Sequence, residues 1–154
     1  MIERGKRSFP ALDLRTVQGL PLAKADASFD AILLLAVLTC IPDDDEQVRL
    51  LRELRRLLRP GGMLYVSDMP LQSDDRNLTR YARALPRFGT YGVFETEDGA
   101  IVRHHDARRL YVLLDGLEKL AEETVQLSTM NGHAATAVQI LARRTAPRSC
   151  ASEG

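Results

Sequence analysis

The run Ser28-Phe29-Asp30-Ala31-Ile32-Leu33-Leu34-Leu35-Ala36-Val37-Leu38 constrains this chain more than any other stretch. It is too short to span a membrane and too continuously apolar for a half-exposed strand. It reads as a strand buried on both faces, which is what a parallel sheet covered by helices demands. Asp43, Asp44, Asp45 and Glu46 then crowd a helix start, where free backbone N–H groups and the helix dipole favour negative charge. Val48, Leu51, Leu54 and Leu58 recur at helical spacing, Leu50 and Leu57 widen the apolar face, and Arg49, Arg52, Arg55, Arg56 and Arg59 cover the other side. Pro60-Gly61-Gly62 stops the helix, and Met63 to Asp68 is a second apolar strand. The predicted unit is strand, helix, parallel strand.

The remaining elements are shorter. Ala11 to Val17 alternates as a strand does, and Gln18-Gly19-Leu20-Pro21 turns away from it. A helix is expected from Ser73 to Leu85, capped by Ser73, striped by Leu78, Tyr81, Ala82 and Leu85, and ended by Pro86. Arg87 to Gly99 reads as a loop with a small hairpin. Asp106 is placed to cap a short helix carrying Leu110, Leu113, Leu114 and Leu117. Thr124 to Met130 and Ala134 to Arg143 flank Asn131-Gly132, the strongest two-residue hairpin signal. Residues 1–144 are expected to form one domain, and 145–154 a disordered tail.

Composition narrows the function. With 21 Lys+Arg against 21 Asp+Glu, the net charge is zero, so bulk electrostatics does not point to nucleic acid. No stretch is long and apolar enough for a membrane span or a signal peptide, and Cys40 and Cys150 do not resemble a disulfide framework. The expectation is a cytoplasmic protein with neither nucleic acid nor membrane as partner.

Ala27-Ser28-Phe29-Asp30-Ala31, Leu38, Ile41-Pro42-Asp43 and Leu57-Leu58-Arg59-Pro60-Gly61-Gly62-Met63-Leu64 together resemble the middle of a class I S-adenosylmethionine-dependent methyltransferase. In that family D-x-S-F-D opens the fourth strand, and L-x-P-G-G lies between the fourth helix and the fifth strand. The resemblance runs from about residue 1 to about residue 144 and implies a Rossmann-like α/β fold, mostly parallel, ending in an antiparallel hairpin. It also implies S-adenosylmethionine as cofactor and a small-molecule acceptor. The family's glycine-rich first turn and its acid-ended second strand have no counterpart here. Two explanations compete, an internal methionine taken as the start or a genuine truncation, and the first is favoured. Either way the chain is expected to bind the cofactor weakly and to be weak or inactive alone. A strand missing beside Phe29 to Leu38 would expose an apolar edge, so a homodimer through this strand is expected, or a rearrangement that brings Leu12 to Val17 beside it. The alternative function is a non-catalytic subunit that binds a partner through that edge. A nicotinamide-dependent oxidoreductase fragment is disfavoured because its fingerprint is absent.

The resemblance implies a cofactor face at Gln18 and Gly19, where the Gln18 amide oxygen can accept from the adenine amine, and at Leu34, Leu35 and Ala36. The plainer readings are a turn pair and core residues. Asp68, Tyr91, His104 and His105 are the substrate-pocket candidates, with no catalytic residue assigned. An acid before a turn more often hydrogen-bonds backbone. Consecutive histidines in extended chain face opposite ways and are poorly placed to share a metal, so either is expected at the surface or as a cap, or as a general base. Cys40 has apolar neighbours and is expected to be inert.

Overall fold

A computed structural model describes residues 2–129 and 132–145. The elements in order are α1 (Ile2–Ser8), β1 (Phe29–Leu35), a 3-10 turn (Leu38–Cys40), α2 (Asp44–Leu57), β2 (Leu58–Asp68), α3 (Asp75–Phe88), β3 (Val93–Glu95), β4 (Ile101–Arg103), α4 (Ala107–Leu113), β5 (Leu117–Ser128) and β6 (Ala134–Arg144). The strand–helix–strand unit forms as predicted. Asp43 caps α2 by accepting from the Glu46 N–H at 2.8 Å, and β1 pairs in parallel with β2 from Ala31↔Met63 to Leu35↔Ser67. Leu51, Leu54, Leu58, Leu64, Val66 and Ile140 lie at the centre of the core, closed on one side by Leu110, Leu113 and Leu114 around α4.

The sheet order is β1-β2-β6-β5, and here the expectation of a mostly parallel sheet is corrected. Only β1 and β2 run parallel; β2 with β6 and β6 with β5 are antiparallel. A parallel pair needs a long crossover, usually a helix, and among the described residues α2 provides the one that this sheet uses. The last two strands form a hairpin instead. The β5–β6 connection carries the Gly132 N–H donating to Thr129 O at 2.8 Å. Met130 and Asn131 lie outside the described residues, as does the expected tail beyond 145.

Several local expectations are also corrected. Ala11 to Val17 is not a strand, and Leu12 and Val17 are exposed; alternation without a neighbouring strand leaves the ladder unpaired. It does not move in beside β1. That strand is therefore an edge, not a strand buried on both faces: Leu34 is 5% exposed, while Leu33 is 67% and Leu35 54% exposed. The Pro60-Gly61-Gly62 turn becomes an irregularity inside β2, with Phe29 already opposite Leu58. Asp74 rather than Ser73 caps α3, accepting from Asn77 N–H. Pro86 does not end that helix, which runs on to Phe88 and stops at left-handed Gly89. Leu78 and Leu85 of its apolar stripe are left exposed. Asp106 does cap α4, accepting from Arg108 N–H at 2.7 Å, but Leu117 belongs to β5. Cys40 is exposed rather than buried among apolar neighbours.

Candidate functional site

The chemistry-bearing residues gather at the carboxyl ends of the parallel pair, where ligands bind in open α/β sheets. As β1 ends, Ala36 takes a left-handed conformation (φ 50°) and donates its N–H to Ser67 O at 2.8 Å. The 3-10 turn follows, and the groove beyond it has a volume of about 440 Å³. Gln18, Gly19, Val37, Ile41, Glu46 and Leu50 line this groove. Gln18 and Gly19 thus face the N-terminal end of α2 and the end of β1. Leu34, Leu35 and Ala36 are not among its lining residues: Leu34 points into the core, Leu35 lies on the open edge, and Ala36 makes the turn.

At the end of β2, Asp68 is buried with its side chain fully enclosed. It accepts from the Met69 N–H at 2.8 Å and the Thr39 N–H at 3.3 Å. Burial pushes its carboxyl up to about 6, against the opposing pull of these hydrogen bonds. His105 pairs by backbone with the segment just after β2, its N–H donating to Met69 O at 2.9 Å. Its Nε2 lies 2.7 Å from Gln47 Nε2, and its Nδ1 lies 3.6 Å from Asp68 Oδ1. Gln47 Nε2 also donates to Ile41 O at 2.7 Å and Leu38 O at 3.2 Å. Those two carbonyls fix which end of the amide carries its hydrogens, so His105 Nε2 is an acceptor and the ring proton sits on Nδ1, toward Asp68. Burial pulls His105 down to about 4. Burial thus moves both groups toward their neutral forms, which keeps His105 uncharged at neutral pH and brings Asp68 within about one unit of protonation.

His104 turns the other way, as consecutive extended residues must. Its Nδ1 is 2.5 Å from the Tyr81 hydroxyl, which also accepts from the Gln72 N–H at 3.1 Å. Tyr91 stacks edge-on against Tyr81 with ring centroids 5.3 Å apart. The histidines are therefore core groups held in two separate hydrogen-bond networks, which corrects the expectation of surface or capping histidines. Burial drops His104 to about 4, helped by Arg80 and Arg76. Gly92 permits this packing, since a Cβ there would sit 2.4 Å from His104 O.

Gln47 and Gln72 escaped notice in the sequence. Gln47 had a visible signal: it sits at i−4 and i−7 from Leu51 and Leu54, a polar side chain on the apolar stripe of α2. Gln72 had none, because its role comes from β6, where Thr136 N–H donates to its Oε1 at 2.8 Å.

Comparison with known proteins fits this geometry. The family described as "Methyltransferase domain" matches residues 1–66. An arsenite methyltransferase of Aquipseudomonas alcaligenes is 50% identical over 48 residues, covering 31% of this chain and 13% of that protein. The chain thus spans a small part of the curated relative it matches. A SAM-dependent methyltransferase structure from Methanosarcina mazei superposes with a TM-score of 0.83 at 23% identity, over 95% of this chain and 78% of that one. The N-methyltransferase NodS of Bradyrhizobium japonicum, solved with S-adenosyl-L-homocysteine, gives 0.61 at 14% identity, over 93% of this chain and 61% of that one. Residues 1–66 thus match the methyltransferase-domain family, and the fold that continues them to β6 is the one seen in solved S-adenosylmethionine-dependent methyltransferases.

Proposed function

We propose that this domain serves methyl transfer from S-adenosylmethionine to a small molecule, with the groove beside Gln18 and Gly19 as the adenosine end of the cofactor site. The observation that carries the reading is this groove at the carboxyl end of β1, lined by the turn that the family places against the adenine. In an open sheet that is where a nucleoside-like ligand belongs, and catalysis there works mainly by holding the methyl donor and acceptor in line. The NodS and arsenite methyltransferase likenesses support methyl transfer to a small acceptor without naming one. The fold by itself does not fix the chemistry.

Among the described residues, no glycine-rich strand-to-helix turn and no acid-ended strand precede β1. On its own, therefore, the chain binds S-adenosylmethionine weakly. Calorimetry with S-adenosyl-L-homocysteine tests this, expecting no saturable binding at micromolar concentration and weak binding, localised to Gln18 and Gly19 by amide shifts, at millimolar concentration. Micromolar affinity would show the remaining residues to suffice. Shifts confined elsewhere would remove the groove from the site.

A second reading, a binding subunit without its own catalysis, is favoured by one observation. The β1 edge exposes Leu33 and Leu35 together with unpaired strand backbone, a template for another strand. In this reading two copies, or a partner chain, pair through β1. Strict co-purification with a partner and no binding of S-adenosyl-L-homocysteine at any concentration would favour it.

A further inference from the structure

Beyond β2, a second cavity of about 150 Å³ is lined by α3, by the segments after β3 and β4, and by Thr129 and His133 of the β5–β6 hairpin. Sites for drug-sized ligands are about 300–1,000 Å³, so this one has room for a single functional group. Its walls are fixed. Gln72 is locked by its bonds to Pro70 O (2.7 Å) and Thr136 O (3.0 Å). Asn77, 2% exposed, donates its Nδ2 to Asp74 Oδ2 at 2.6 Å, which leaves its buried Oδ1 with no partner. Tyr81 accepts the Gln72 N–H on its oxygen and shares a hydrogen bond with His104 Nδ1. With Tyr81 as donor in that bond, the neutral His104 ring carries its proton on Nε2, and His104 lines the cavity.

The charge is unbalanced in the same place. Arg76 and Arg80, one turn apart on α3, both line the cavity, and Glu97 is the one carboxylate lining it. Arg87, further along the helix, is ion-paired with Glu95. Arg76 and Arg80 have no such partner among the described residues. Arg80 stacks over the Phe94 ring at 4.4 Å, is half-buried, and is acidified by burial and then by the Arg76 charge. A solvated arginine face would show neither the burial nor the spare donor and acceptor beside it. Two arginines on the wall of one small polar cavity suit an oxyanion, and the unpartnered Asn77 oxygen calls for a neighbouring O–H or N–H.

We propose that this cavity seats a carboxylate of the small molecule on which the domain acts, gripped by Arg76 and Arg80 and by His104 Nε2–H, with Asn77 Oδ1 accepting from an adjacent hydroxyl or amide. The assignment to a substrate rests on the function proposed above; the carboxylate site itself does not.

The test is a nuclear magnetic resonance titration of the full chain without S-adenosylmethionine, at constant ionic strength. The probes are sodium acetate, sodium glycolate, acetamide and inorganic phosphate. Acetate is expected to shift the Arg76 and Arg80 Nε–H signals saturably, glycolate to bind more tightly through its hydroxyl, and acetamide to shift neither. Arg80→Gln and Arg76→Gln should each weaken acetate at least about tenfold, while Arg83→Gln, outside the cavity, should change it by less than about twofold. Should Arg80→Gln lose its fold by circular dichroism, Arg76→Gln, whose side chain is exposed, carries the comparison. Shifts that never saturate, equal losses with Arg83→Gln, or tighter binding of phosphate than of acetate would overturn the carboxylate assignment. Loss of acetate binding with S-adenosyl-L-homocysteine binding retained would sink this site alone. The converse result would sink the methyl-transfer reading alone.

Discussion

β1 and β5 form the two outer edges of one four-stranded sheet, and they are made of opposite material. β5 carries Glu118, Lys119, Glu122 and Glu123 and is exposed along most of its length. β1 carries Asp30 near its start and then Ala31-Ile32-Leu33-Leu34-Leu35. Charged side chains on an edge discourage a further strand from adding to it. β5 is thus finished as a boundary, whereas β1 has the composition of an interior strand in an edge position. Being an edge is a matter of sheet order; being protected as one is a matter of sequence. The two disagree only at β1.

That contrast can be broken at its largest effect on β1 itself. Leu34, turned into the core, should cost about 2–5 kcal/mol on Leu34→Ala, and Leu34→Lys should prevent folding. Leu33→Ala, on the exposed face, should stay within about 0.5 kcal/mol. Urea denaturation distinguishes them, and similar losses at both positions would show that Leu33 is covered after all.

Acid response should separate the inner end of the sheet from its outer edge. Between pH 6.5 and 4 the unfolded chain protonates His104 and His105, which the fold holds neutral down to about 4. That uptake favours unfolding. Over much of the same range the folded chain protonates Asp68, raised to about 6, which favours folding as pH drops. The net difference is one more proton on the unfolded chain, so stability should fall by roughly 3 kcal/mol on acidification. Asp68→Asn removes the opposing contribution and should raise that loss to roughly 5 kcal/mol. Leu120→Ala, on the exposed β5 edge, should leave the pH dependence where it is. Urea midpoints at pH 7 and pH 4.5 decide this, and a flat wild-type profile would mean that the histidines are hydrated in the fold.

Smaller in energy, but most pointed for the edges, is self-association. Leu33→Lys places on β1 the kind of charge that β5 already has, and should shift a concentration-dependent dimer toward monomer in light scattering while leaving the urea midpoint almost unchanged. Lys119→Ala on β5 should not alter association. A wild-type chain that stays monomeric at high concentration would remove the dimer and leave β1 free for a different partner.

What could be seen in the sequence was whatever local chemistry decides. The acid cluster beginning at Asp43 marked the start of α2, the Leu51–Leu54–Leu58 spacing marked its buried face, and Asp106 marked α4. Gln18-Gly19 was singled out only through the family resemblance, since by itself the pair reads as a turn. What could not be seen depended on a neighbour distant in sequence. Ala11 to Val17 has the alternation of a strand but nothing to pair with. Leu33 is as apolar as Leu34, and only which face of the sheet is covered separates their exposure. The burial of His104 and His105, expected at the surface, as caps or as a general base, could not be seen because Tyr81, Gln47 and Asp68, which enclose them, come from three other segments.

The pairing of β2 with β6 also sets a timetable. Met63 meets Arg143, and Asp68 meets Val138, so one whole side of β2 is covered by residues made long after β2 itself. Contacts this far apart form slowly because a long loop must close first. As the chain emerges, the β1–α2–β2 unit is complete well before its neighbour exists, with apolar strand on both sides. Until β6 docks, β2 is as open as β1 remains afterwards, and the newborn chain passes through a stage with two adhesive strands. Crowding during translation, rather than the stability of the finished fold, then becomes the hazard for this protein.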